Sequence, residues 1–311
     1  MDVSEKLKKF IQKRPPVVAA YGYGSGVFKQ TGYEGQRMPQ IDMILIVENV
    51  RRWHQENKKK NPGDYSWTGA CLLPSIFVNL MSGKTHIIYQ SNIQEEGSVY
   101  KYGIISETDF EKCMTTWESF YVPGRFQKPL LPIVETSKIQ KLIWENRKNA
   151  VLAAACFSSA RTTCFDLYMQ ICNLSYFGDS RMYIAENPEK VRNIVTGSYD
   201  RIHEIYKPIL EDNEFIEVLE GEQLVIDQST IALLSGGLPS SLKQYLDREL
   251  GILRNIEPTR NAIRSFFSSK NFRESIGQTA KGILSNGPIR SVAYVIPKLK
   301  KKLGAKSDSK K

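Results

Sequence analysis

Ser25 and Asp42 have the clearest chemical character in this chain. Ser25 sits in a glycine-rich turn, Tyr23-Gly24-Ser25-Gly26, at the end of an apolar run that begins at Val17. Asp42 sits inside a second apolar run, Ile41-Asp42-Met43-Ile44-Leu45-Ile46-Val47. Backbone N–H groups and a small hydroxyl grip phosphate oxygens without bulk, and a carboxylate oxygen is a preferred ligand of Mg²⁺. A lone carboxylate among Ile, Met, Leu and Val is costly unless it is paired or bound to metal. Strand alternation places Asp42, Ile44 and Ile46 on one face, with Asp42 at the strand's end or mouth. Gly22-x-Gly24-x-Gly26 has neither the dinucleotide-binding spacing nor the Gly-Lys-Ser/Thr ending of a P-loop. A Gly-Ser turn beside a strand with a buried-looking acid suits a nucleoside triphosphate and its magnesium. The chemistry this points to is nucleotidyl transfer.

The elements that must position this pair form a mixed α/β first third. After a short basic helix come strands at 17–23 and 41–47. A polar helix through Arg51–Asn57 stops at Asn61-Pro62-Gly63. Further strands are expected at 85–90 and 99–106, then a helix over 107–121 with Phe110, Met114, Trp117 and Tyr121 at helical spacing. The basic segment Gly124-Arg125-Phe126-Gln127-Lys128-Pro129 follows. From about residue 135 the pattern turns helical, over 138–160, 162–174 and 188–208, with a polar loop at Leu174–Arg181. The fold class is α/β (α+β), with a domain boundary near Pro129–Glu135.

Composition narrows the partners. The chain has 311 residues, 41% hydrophobic and 24% charged, as in a soluble globular protein. No apolar run approaches the ~20 residues needed to span a bilayer. The N-terminal segment has no signal-peptide apolar core and contains acids, so a cytosol-like compartment is expected. Cys71, Cys113, Cys156, Cys164 and Cys172 include no Cys-x-x-Cys pair, and reduced core thiols are the expectation. The formal net charge of +10 calls for an anionic partner.

Much of that charge lies at the C-terminus. Residues 281–311 hold nine Lys/Arg against the single acid Asp308. At ~100° per residue, Ile289, Val292, Ile296, Leu299 and Leu303 project onto one narrow face, with Arg290, Lys298, Lys301 and Lys302 on the other side. This is the pattern of a helix lying in an anionic membrane interface.

A longer series of motifs runs along the chain. Tyr21-Gly-Tyr-Gly-Ser-Gly-Val-Phe28, Gln40-Ile-Asp42, Asn61-Pro62 with Tyr65-Ser66, and Lys101-Tyr-Gly-Ile-Ile-Ser106 occur in that order. Trp117, Tyr121-x-x-Gly124-Arg125-x-x-Lys128-Pro129, Leu174-Ser-Tyr-x-Gly-Asp179-x-Arg181 and Glu186-Asn-Pro-x-Lys-Val continue it. The series resembles the soluble-type phosphatidate cytidylyltransferases of the mitochondrial translocator assembly and maintenance family, which has bacterial members. The resemblance covers roughly residues 17–210. It implies a nucleotidyltransferase domain (1–130), a winged-helix-like domain (131–245) and a membrane-docking C-terminal region (246–311). The reaction it implies is CTP plus phosphatidate giving CDP-diacylglycerol and pyrophosphate, with Mg²⁺ as cofactor. The partners are then CTP, phosphatidic acid and an anionic membrane surface bound peripherally, with no nucleic acid expected. The expected location is the inner face of a bacterial membrane, or alternatively the matrix side of the mitochondrial inner membrane.

On this reading Tyr23, Gly24, Ser25 and Gly26 hold the β/γ-phosphates and Asp42 holds Mg²⁺. Lys101, Arg125 and Lys128 serve the triphosphate or the phosphatidate head group, and Ser25, Asp42 and Lys128 form the catalytic set. Asp179 and Arg181 serve either the lipid head group or the domain interface. Ile289, Val292, Ile296, Lys298, Leu299, Lys301 and Lys302 contact the membrane. Two residues after Asp42, where the wider nucleotidyltransferase superfamily has a second carboxylate, stands Ile44. Glu107, Asp109 and Asp179 are the candidate replacements. Rival readings are a nucleotidyltransferase acting on RNA or protein, and a non-catalytic lipid-binding assembly protein.

Overall fold

The alternation in Ile41–Val47 is realised in a five-stranded sheet. β1 (Ala19–Tyr23), β2 (Ile41–Val47), β3 (Ile88–Glu95), β4 (Ser98–Ser106) and β5 (Leu130–Val134) stand in the order β3-β4-β2-β1-β5. β2 and β4 run parallel, and the other pairings are antiparallel. The structure is a computed structural model that describes residues 2–28, 40–65, 85–184, 189–229, 237–251 and 255–286.

Both faces of the sheet are covered, which is why β2 reads as an almost unbroken apolar run. α1 (Val3–Gln12) and α2 (Val50–Lys60) cover one face, where Leu7, Phe10 and Trp53 pack on Ala20, Met43 and Leu45. α3 (Glu107–Thr116), α4 (Pro123–Phe126) and α5 (Ser137–Ala155) cover the other, where Phe110, Phe126 and Ile139 pack on Tyr21, Ile44 and Ile46. Asp42 shares the face of Ile44 and Ile46, at the first turn of the strand, as the alternation requires.

The expected helix over 107–121 is shorter than its periodicity. α3 starts on a Ser106 cap, whose Oγ accepts from Asp109 N at 3.0 Å, and stops at Trp117, which adopts φ 55°. Trp117 Nε1 donates to the buried Asn146 Oδ1 at 2.9 Å, a tertiary bond that outweighs continued helix. The strand expected at 85–90 lies at Ile88–Glu95 because Glu96 and Gly97, both at positive φ, make a two-residue hairpin turn into β4. The composition change near Pro129–Glu135 coincides with β5, an edge strand paired with β1.

Beyond β5 the chain is mainly helical, with α6 (Cys164–Asn173), α7 (Ser180–Ile184), α8 (Lys190–Gly197), α9 (Tyr199–Glu211), α10 (Ser240–Leu250) and α11 (Ile256–Asn286). The helix expected over 188–208 breaks at Ser198. A small antiparallel sheet, unforeseen in the sequence, orders β6 (Arg161–Thr163), β8 (Gln223–Ile226) and β7 (Ile216–Val218) as β6-β8-β7. Leu167, Tyr168, Ile171, Tyr206 and Phe267 form its helical core, joined by Trp117 and Phe120. Cys113, Cys156, Cys164 and Cys172 are free and buried, as expected, and Cys71 lies outside the described residues. Among the described residues no helix is long and apolar enough to cross a membrane.

Candidate active site

β1 and β2 bring Gly24, at the start of the predicted turn, beside Asp42. Tyr23 and Asp42 are register partners, and a Cβ built on Gly24 would stand 3.6 Å from Asp42 Oδ2. Gly24 has φ +77°, a conformation that favours glycine, and its carbonyl accepts from Val27 N at 3.1 Å and Phe28 N at 2.9 Å. These bonds curl Ser25 and Gly26 into a turn at the end of β1. At Gly26 any Cβ would collide with the carbonyl of Gln40, so the turn and the approach to β2 fit only without a side chain there.

Asp42 Oδ1 is already engaged. Gln40 Nε2 donates to it at 3.1 Å, and Lys101 Nζ stands 3.8 Å away. Lys101 is the register partner of Asp42 on β4, so the ion pair follows from strand pairing alone. Lys101 Nζ also lies 4.6 Å from the centre of the Tyr89 ring, and Tyr89 and Tyr23 touch through their hydroxyls at 3.4 Å. The half-buried Asp42 thus presents Oδ2 toward the glycine turn.

That donor set fits magnesium in a limited way. Mg²⁺ is commonly held by one or two carboxylates plus substrate phosphates and water. Asp42 Oδ2 beside a phosphate-sized turn supplies the first of these. Among the described residues no cluster of three or more His, Cys, Asp or Glu could hold a metal by itself. Glu107 and Asp109 do not join Asp42. They follow Ser106, which pairs with Val47 at the far end of the strands from the Asp42–Lys101 pair. At ~3.3 Å per residue that separation is about 17 Å. Glu107 pairs with Lys138, and Asp109 with His86.

Arg125 and Lys128 arrive at the same end of the sheet, because Leu130, just beyond them, pairs with Tyr23. Their segment is fastened from behind. Asn146 Nδ2 donates to Pro123 O at 3.1 Å, Arg147 Nε to Phe126 O at 3.2 Å, and Tyr206 Oη to Gln127 O at 2.7 Å. The Arg125 guanidinium lies 3.6 Å from the centre of the Tyr121 ring and donates to the Tyr121 carbonyl. Burial works against its charge, but the hydroxyls of Tyr121, Tyr89 and Tyr23 sustain it. Lys128 Nζ donates to Gly124 O and Ser175 Oγ, both at 2.6 Å. Burial, reinforced by Arg125, Lys190 and Arg181, pushes its pKa down to about 8.

Asp179 and Arg181 are paired with each other. Arg181 N and Nε both donate to Asp179 Oδ1, at 2.9 and 3.0 Å. Asp179 is buried; burial alone would raise its pKa, but the Arg181 contacts hold it below the usual carboxylate range. Asp179 and Arg181 line one small cavity with Tyr121, Arg125, Ser175 and Glu274. Glu274, on α11, was not singled out in the sequence. Its carboxylate accepts from Phe120 N at 3.1 and 3.2 Å, and burial pushes its pKa up to about 7.

With this geometry in hand, relatives discriminate between the readings. The family profile described as "Phosphatidate cytidylyltransferase, mitochondrial" matches residues 7–301. The chain belongs to this family. A mitochondrial phosphatidate cytidylyltransferase of Schizosaccharomyces pombe is 32% identical, covering 98% of this chain and 85% of that protein. The Rattus norvegicus protein of the same name is 31% identical over 91% of this chain and 89% of its own length. The Dictyostelium discoideum protein is 28% identical over 96% and 85%.

Within this phosphatidate cytidylyltransferase family member, Ser25, Asp42, Lys101, Arg125 and Lys128 gather at one sheet end, and Arg125 and Arg181 share a cavity. Tyr89, Asn146, Tyr206 and Glu274 complete the surroundings without a motif of their own. The one available signal was polar residues on faces otherwise apolar, such as Asn146 in α5. Ile289, Val292, Ile296, Lys298, Leu299, Lys301 and Lys302, expected at the membrane, lie outside the described residues.

Proposed function

We propose that this site transfers the cytidylyl group of CTP to phosphatidate, forming CDP-diacylglycerol and releasing pyrophosphate. The observation that carries the reading is the approach of the Gly24–Gly26 turn to Asp42 Oδ2, 3.6 Å from a Cβ position on Gly24. Family membership supplies the substrates, since the relatives are named for phosphatidate cytidylyl transfer.

The phosphate of phosphatidate is a monoester, whose second pKa is about 6, so its attacking oxygen is already ionised near neutral pH. No strong general base is needed. Catalysis rests on aligning this oxygen with the α-phosphorus and on holding the charge that develops as pyrophosphate leaves. Ser25 and the amides of its turn hold the β/γ-phosphates, with Tyr23 beneath. Mg²⁺, bound through Asp42 and phosphate oxygens, would neutralise charge on the triphosphate. Lys101 stands on the nucleotide side, beside Asp42. Arg125, Lys128 and Arg181 stand on the head-group side, where guanidinium forks suit a terminal phosphate. Asp179 keeps Arg181 oriented.

The architecture is compatible with this assignment. The mixed sheet resembles a nucleotidyltransferase core. The succession α5, β6, α6, α7, α8, α9, β7 and β8, with β8 between β6 and β7, is compatible with a winged-helix-like domain. The names of the relatives favour a mitochondrial location over a bacterial membrane, and the reading places the chain on the matrix side of the inner membrane. Peripheral attachment through the basic tail completes the reading.

The test is product analysis with purified protein, Mg²⁺, each of four labelled nucleoside triphosphates, and phosphatidic acid vesicles. CDP-diacylglycerol should form from CTP, and Asp42→Ala should abolish turnover while vesicle binding stays near normal. Label transferred to RNA or protein without lipid, or full activity in Asp42→Ala, would overturn the proposal.

A further inference from the structure

α11 contacts, along one face, the segments that carry the site's cations. Asn271 Nδ2 donates to Leu174 O at 2.8 Å and to Phe177 O at 3.0 Å, in the loop that holds Ser175 and leads into α7, which carries Arg181. Ser275 Oγ accepts from Ser180 N at 3.1 Å, next to Arg181. Glu274, between them, takes Phe120 N on both carboxylate oxygens. Gln278 reaches Thr85 Oγ1 and Ile87 O, just before the strand that carries Tyr89. Gly178, at φ +69°, lies against the Ser268 backbone so closely that a Cβ could not fit between them.

The geometry points to Glu274 as a positioning residue that sets the separation of Arg125 and Arg181 around the small cavity that all three line. Phe120 N–H precedes Tyr121, and Tyr121 carries Arg125 on its ring and its carbonyl. The path from Glu274 to the Arg125 guanidinium is therefore two residues of backbone and one stacked ring. On the other wall, the adjacent Ser275 holds Ser180 beside Arg181. Glu274 also lines the small cavity that Arg125 and Arg181 line. Arg125 and Lys270 are the cations that ease its ionisation. The phosphate assigned to it is the terminal monoester of the lipid acceptor; Lys101 and the glycine turn stand with Asp42, and Arg125 also reaches that side through Tyr23. This rests on the cytidylyltransferase reading above.

The experiment compares wild type, Glu274→Ala and Glu274→Gln in mixed micelles, measuring KM for phosphatidate at saturating CTP and, separately, CTP binding without lipid. The expected result is an increase of about tenfold or more in KM for phosphatidate in Glu274→Ala, the scale of a lost bond to a charged group. CTP affinity should stay within about twofold, and Glu274→Gln, whose amide oxygen still accepts Phe120 N–H, should recover most of the loss. Wild-type KM in a folded Glu274→Ala would overturn the inference. So would equal weakening of CTP and phosphatidate in both variants, which marks a general loss of structure. Wild-type protein that makes no CDP-diacylglycerol overturns the function itself, and with it this inference.

Discussion

Lys128 is the site cation whose surroundings work hardest against its charge. It is fixed between Gly124 O and Ser175 Oγ and repelled by three other cations, and burial brings its pKa to about 8. On the proposed reading the ammonium form meets phosphate, and it disappears as pH rises through about 8. We expect kcat/KM to decline above that value with a slope approaching tenfold per pH unit. Lys128→Arg should keep its activity to higher pH at a lower maximum, because a guanidinium cannot occupy the ammonium's place between the two oxygens. Stability should move the other way. A folded-state pKa below the unfolded value of ~10.5 means that this group's stabilising share is complete above ~10.5 and is lost as pH falls through 8. A pH series of steady-state rates and melting curves checks both signs; a flat rate profile between pH 7 and 9.5 contradicts the assignment. Residues like Ser25 and Asp42 are legible in sequence because they contrast with their neighbours. Glu274 is not, since its partner Phe120 is remote in the chain and the bond is to backbone.

At the scale of elements, the site depends on a short segment, Gly124–Pro129, that is regular only over Pro123–Phe126. Asn146 does most to fix it. Its Oδ1 accepts from Trp117 Nε1 and Gln127 Nε2, its Nδ2 donates to Pro123 O, and it is fully buried. Asn146→Ala strands two donors and a carbonyl in the interior, at ~1–3 kcal/mol for each buried group left unsatisfied. A loss of about 3 kcal/mol in unfolding free energy is expected by urea denaturation. A change below ~0.5 kcal/mol would mean that the bonds are dispensable. The same residue explains what the sequence could and could not convey about elements. β1, β2 and β4 are legible because burial on both faces writes itself as apolar runs. The end of α3 is not, because Trp117 and Tyr121 continue the helical period while a tertiary bond to Asn146 turns the chain. β6, β7 and β8 are too short for any period to register.

At the scale of the molecule, charge is unevenly placed. The chain's formal +10 is dominated by residues 281–311, where nine basic side chains face one acid. The rest of the chain is thus close to balanced, and on the proposed reading attraction to an anionic bilayer comes from residues 281–311. Each Lys or Arg near such a surface contributes about 1 kcal/mol, and the effect fades beyond a Debye length of ~10 Å at 0.1 M salt. On the proposed reading the substrate lies in that surface, the tail acts on local concentration and α11 acts on site geometry. Deleting residues 288–311 separates these roles, because the contacts of α11 with Phe120, Leu174 and Thr85 all lie before residue 288. Activity on anionic vesicles should fall at least about tenfold, and activity on detergent-dispersed phosphatidate should stay within about twofold. Added salt should mimic the deletion on vesicles and leave the dispersed assay unmoved. Equal losses in the two assays would instead place the tail among the parts that hold the fold together.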